Sequence, residues 1–120
     1  MKKLIIALIL LGFCVANVSF ADSSRTIQRK SKVIIASEVT STQGVVIYKV
    51  TGYANAANAI FGLYNTTTLG AAAASNCKVE GGEATQYDSL STLDFGDEGL
   101  VFDTGLVAVI SGAYVVIEYQ

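Results

Sequence analysis

Between Val45 and Tyr53 the chain alternates with period two: Val46, Tyr48 and Val50 share one face, and Val45, Ile47, Lys49 and Thr51 the other. That period belongs to a pleated strand and does not fit the 3.6-residue repeat of a helix face. Shorter apolar runs recur at 33–39, 60–64, 77–80, 87–95, 100–102, 105–110 and 114–119. Turn-forming residues separate them, with Gly81-Gly82 expected to break one strand and Ser111-Gly112 expected to close a tight hairpin between the last two. About seven or eight short strands at this spacing predict an all-β fold, a single antiparallel β-sandwich of jelly-roll-like form. A partly closed β-barrel is the alternative. The expected core is Val46, Tyr48, Val50, Phe61, Leu63, Leu93, Phe95, Leu106, Ala108, Val115 and Ile117.

The first 21 residues do not belong to that pattern. Lys2 and Lys3 precede an apolar run over 4–15, and Ser19-Phe20-Ala21 places small residues where a signal peptidase needs them. Residues 1–21 therefore read as a secretory signal peptide cut after Ala21, leaving Asp22 at the new N-terminus. Leu11-Gly12-Phe13-Cys14 resembles a lipoprotein box, but the bulk of Phe13 spoils it, so neither lipid anchoring nor stable membrane insertion is expected after cleavage. The expected destination is secreted, periplasmic or cell-surface. Lys2 and Lys3 leave with the signal, so six of the eight basic residues remain against ten acidic ones, a net charge of −4. An acidic domain of this kind is not a nucleic-acid ligand, because phosphate binding rests on clustered Lys and Arg.

Charge is distributed unevenly along the remainder. Residues 22–32 carry Arg25, Arg29, Lys30 and Lys32 against Asp22 and read as a flexible basic arm, ahead of a sandwich domain over 33–120. Residues 77–120 hold Lys78 against eight acids. The arm and the body can attract each other within one molecule or between two. The run from Val33 to Val39, lying between the arm and a polar turn, is expected to be an edge strand able to pair with a second copy. The four alanines within 70–75 lack the long side chains that anchor a helix face, and read as a loop or an irregular strand.

Chemistry is constrained mainly by what is missing. The chain has no His, which removes Ser-His-Asp and Cys-His catalysis and imidazole metal sites. No catalytic, cofactor or metal residue is assigned, and no cofactor is expected. Cys77 loses its only possible partner when Cys14 departs. It then either packs as a small hydrophobe or forms an intermolecular disulfide, with Lys78 placed to favour its thiolate. Asp94, Asp97, Glu98 and Asp103 form the densest acidic group, which reads as a solvated turn, or else as oxygen ligands for a hard cation such as Ca²⁺. The six tyrosines read as core or rim residues before they read as a sugar platform.

The segments GVVIYKVTGYANAANAIFGLYN and LDFGDEGLVFDTGLVAVISGAYVVIEY resemble short β-sandwich proteins among tailed-phage structural and decoration subunits, over residues 44–119. In those a strand that starts at a glycine leads into an Ala- and Asn-rich loop and ends in a closing glycine-turned pair of strands. The resemblance implies a sandwich with no catalytic signature. The leader departs from it, since virion proteins assembled in the cytoplasm need no export, and favours a secreted structural relative of the same fold. The expected function is a secreted, non-enzymatic structural or assembly protein; the alternative is a small exported glycan- or protein-binding module.

Overall fold

The computed structural model describes residues 28–83, 85, 86 and 89–120. The expected signal peptide at 1–21, arm residues 22–27, and Tyr87 and Asp88 lie outside them. Among the described residues the chain forms nine strands: β1 (Lys30–Ile34), β2 (Glu38–Ser41), β3 (Val45–Ala54), β4 (Ala59–Tyr64), β5 (Cys77–Glu83), β6 (Ser89–Asp94), β7 (Leu100–Phe102), β8 (Leu106–Ser111) and β9 (Ala113–Tyr119). One sheet has the order β1-β9-β3-β6, with β7 also on β3, and the other has β2-β8-β4-β5. Every pairing is antiparallel.

These two orders follow from one long hairpin. Pairing β1 with β9, β2 with β8, β3 with β6 and β7, and β4 with β5 folds the chain's halves against each other, and rolling that ribbon delivers its segments alternately to two sheets. That is the jelly-roll arrangement. The sheets face each other as an open sandwich and do not close into a barrel. Ile34, Ile47, Val50, Leu63, Phe102, Leu106, Val115 and Ile117 are fully buried between them. Leu93 and Phe95 pack against this core from its margin.

The strand with the clearest alternation departs from it at one residue. Ile47 pairs with Tyr119 but Lys49 pairs with Glu118, so Tyr48 is an extra residue in β3, a β-bulge. The bulge reverses the pleat: Val45 and Ile47 point inward before it, Val50 and Ala54 after it. Val46 is only half-buried, and Tyr48 is covered on the sheet's outer surface and outside the core, contrary to the unbroken alternation expected for them.

The last two strands also depart from expectation. Gly112, at φ +63°, joins β8 to β9, but the two strands lie in different sheets and make no hairpin. The left-handed glycine turns the chain through the edge of the sandwich, and its carbonyl accepts the N–H groups of Asn55 (2.9 Å) and Ala56 (3.0 Å) from the neighbouring β3–β4 corner. The 33–39 run is likewise two strands. The arm's last residues, Lys30, Ser31 and Lys32, belong to β1; residues 35–37 cross between sheets; and Glu38 opens β2. Both pieces are edge strands, β1 of one sheet and β2 of the other.

Gly81 and Gly82 do not end β5. Gly81 lies opposite Phe61, whose ring occupies the space a side chain would take, 2.5 Å from where a Cβ would stand. An aromatic ring covering a cross-strand glycine keeps the strand paired where propensity alone would break it. The alanine-rich loop forms two 3-10 turns, Leu69–Ala71 and Ala74–Asn76, tied by Asn76, whose amide donates to the Ala71 carbonyl at 2.8 Å.

Candidate functional site

The rolled topology leaves the sandwich with two open sides, one bounded by β1 and β2 and the other by β5 and β6. Each is bridged by a lysine. Lys32 on β1 pairs with Glu38 on β2 at 2.5 Å, joining the two sheets at the first side. At the second, Lys78 on β5 donates to the Val101 carbonyl of β7 at 2.7 Å, its ammonium 5.7 Å from the Phe102 ring centre. Charged side chains at edges are a known guard against indiscriminate strand pairing. Around the first side the crossing exposes apolar surface: Val33 is 56% exposed, Ile35 76% and Val39 38%.

The second candidate is a shallow groove of about 470 Å³ on the outer face of the β4–β5 pair, lined by Ile60, Gly62, Tyr64, Glu80, Gly82 and Val109 among others. Glycines make its floor. The Tyr64 ring lies across Gly62, where a Cβ would stand 2.6 Å from it, and a register shift between Leu63 and Tyr64 sets Tyr64 opposite Cys77. Burial first, and then the neighbouring Cys77, push the Tyr64 hydroxyl above its ordinary pKa. Burial, followed by the charge of Glu80, pushes the Cys77 thiol up as well. The sulfur contacts the Val79 carbonyl at 3.4 Å. Lys78, which the sequence placed to favour a thiolate, faces away to Val101, so its charge does not activate this cysteine.

The four clustered acids are not brought together. Asp94 accepts the Gly96 N–H at 2.8 Å and shapes its own turn; Asp97 pairs with Arg29; Asp103 accepts from Asn65. No group of three His, Cys, Asp or Glu able to hold a metal occurs among the described residues. Asn65 also accepts the Thr104 N–H at 3.0 Å, so one side chain fixes the crossing from β7 to β8. Its hydrogen bond holds the Asp103 carboxyl below the usual aspartate range.

The tyrosines divide by position. Tyr48 is buried, with its hydroxyl donating to Gln120 at 3.1 Å, and Tyr119 packs against the core. Tyr53 and Tyr114 are cross-strand partners on the outer face of the first sheet, stacked with ring centres 4.8 Å apart. Sequence reading missed this stack and the Tyr64–Cys77 contact. Both depend on strand register, which local sequence does not specify.

No known protein family, curated protein or solved structure matches the chain. Among the described residues no helix is long and apolar enough to cross a membrane.

Proposed function

We propose that this is an exported, non-enzymatic structural or assembly protein whose sandwich associates with further copies of itself through the side bounded by β1 and β2. The observation that carries this reading is the exposure of Val33, Ile35 and Val39 where two edge strands meet. Exposed apolar side chains beside unpaired strand edges are the ingredients of strand addition. The absence of His from the sequence removes the commonest hydrolytic machinery, and the acidic balance disfavours nucleic acid. Jelly rolls serve both as shell-forming subunits and as binding domains, so the fold itself does not choose.

Sedimentation of the purified protein over a wide concentration range tests the reading. Oligomers that weaken in Ile35→Asp support it; a monomer at every concentration sinks it. Export is tested separately by intact mass, which should begin at Asp22.

The second reading, a glycan- or protein-binding module, draws on the β4–β5 groove. There the Tyr64 ring, the Glu80 carboxylate and a glycine floor leave room for a flat ligand. Saccharide binding abolished by Tyr64→Ala in a monomeric protein would move this reading ahead.

A further inference from the structure

We propose that association is head to tail: the β1–β2 side of one copy docks on the β5–β6 side of the next, extending both sheets at once. The inference rests on the assembly reading above and adds to it the receiving surface and the polarity of growth.

Strand direction comes first. In the order β1-β9-β3-β6 three antiparallel steps separate the edges, so β1 and β6 run in opposite directions. The same count applies to β2-β8-β4-β5, where β2 opposes β5. Translating a copy sideways therefore sets its β1 antiparallel to the next copy's β6, and its β2 antiparallel to that copy's β5. Neither molecule needs to be turned over, and antiparallel ladders pair more favourably than parallel ones.

Direction alone also permits two like sides to meet about a two-fold axis, and charge decides between the arrangements. The first side carries exposed Lys30 on β1, while Lys32 on the same strand is already paired with Glu38 on β2. The second carries exposed Glu80 on β5 and exposed Asp94 on β6 against the single cation of Lys78, which is directed to the Val101 carbonyl, so acids outnumber it. A two-fold contact would set Lys30 against Lys30. The head-to-tail contact sets β1, with Lys30, beside β6, with Asp94, and sets β5, with Glu80, beside β2, whose Glu38 is already matched by Lys32, so the edge charges that deter indiscriminate pairing select one partner surface.

The receiving edge is also accessible. A groove of about 270 Å³ runs beside β5, lined by Ala74, Cys77, Lys78, Val79 and Glu80. Because sheets twist with a fixed hand, each added copy is rotated relative to the last, and a contact of two different surfaces that does not close produces a filament.

Two double variants test this without touching either lysine bridge. Lys30→Glu with Ser31→Glu makes the first side acidic; Glu80→Lys with Thr92→Lys makes the second side basic. By sedimentation at low salt, each variant alone should self-associate at least about tenfold more weakly than the unaltered protein. Mixed in equal amounts, they should recover association, because each then offers the other a complementary side. If the Glu80→Lys/Thr92→Lys variant assembles alone as well as the unaltered protein, the contact is two-fold through β1; if both variants do, it lies elsewhere. The first outcome overturns the head-to-tail inference and leaves the assembly reading standing; the second overturns the inference and, with it, the β1–β2 side as the assembling surface. An unaltered protein that stays monomeric at every concentration overturns both.

Discussion

Arg29 and Asp97, 68 positions apart, form an ion pair at 2.8 Å across the outer face of the first sheet. The guanidinium reaches it by passing 4.3 Å from the centre of the Tyr48 ring, the residue that the bulge turns away from the core. The bulge thus supplies the platform, and the arm's last arginine is held to its own body. Attraction between basic arm and acidic body therefore operates within one molecule at this position, and with Lys32 paired to Glu38 it is Lys30 that remains, among the described residues, as the β1 cation outside an ion pair.

Asp97 is almost fully exposed, so the ion pair contributes at most about 1 kcal/mol, with a comparable amount from the arginine over the ring. Arg29→Ala should lower the unfolding free energy by about 1–2 kcal/mol, and Arg29→Lys should recover part of it. Urea denaturation at low and high salt checks this: only the Coulombic share should disappear with added salt.

The core makes a sharper demand. Leu106 and Ile117 are fully buried, one on each sheet, and replacing either by Ala should cost about 2–5 kcal/mol. Val46 carries the same kind of side chain but lies on the other side of the pleat, beside Gly99, where a Cβ would stand 2.4 Å from it. Val46→Thr should therefore cost less than about 1 kcal/mol, while Ile47→Thr, which buries a hydroxyl in the core, costs more than twice as much. Equal losses at the two positions would contradict the bulge.

How far the sequence discloses this fold can be read from the same residues. Val50, Leu63 and Ile117 follow the period-two rule and are buried as it requires. Val45 and Ile47 escape it because nothing local marks Tyr48 as a bulge; its position is fixed by pairing with β9, which is far along the chain. Ser111-Gly112 reads as a hairpin turn because a left-handed glycine serves a hairpin and a sheet-to-sheet corner equally well, and only the partners of β8 and β9 distinguish them. The candidate sites were less legible still. Composition shows that lysines and acids exist, but the bridges at the two open sides depend on which strands become edges.

Acid should destabilise the protein partly through Asp103. Its carboxyl, accepting from Asn65, titrates lower when folded than when unfolded. The stabilisation is therefore fully present above the ordinary aspartate pKa and is lost as pH falls through the lower folded value. Asp103→Asn should be less stable than the unaltered protein near neutrality, and the difference should shrink as pH drops below the usual aspartate range. Thermal melts at a series of pH values check this; a constant difference would show that the hydrogen bond does not depend on ionisation.

Cys77 gives a test in which the two neighbouring charges make opposite claims. From sequence order alone Lys78 should favour the thiolate, and removing it should slow alkylation. In the structure the Lys78 ammonium is held by the Val101 carbonyl, while burial and Glu80 disfavour the thiolate. At mildly alkaline pH, where the thiolate fraction limits the rate, iodoacetamide should therefore react with Cys77 more slowly than with free cysteine. Glu80→Gln should speed the reaction by lifting the opposing charge, and Lys78→Gln should leave it nearly unchanged. Because Cys77 is only partly exposed, the rates are to be compared with those in denaturant, where accessibility is equal and the differences between variants should vanish. Slowing by Lys78→Gln in the folded protein would show that the lysine serves the thiolate and that its bridge to β7 is not the dominant state. The same rates bear on disulfide formation between copies, since a thiol held in its protonated form exchanges slowly and would leave association to the strand edges.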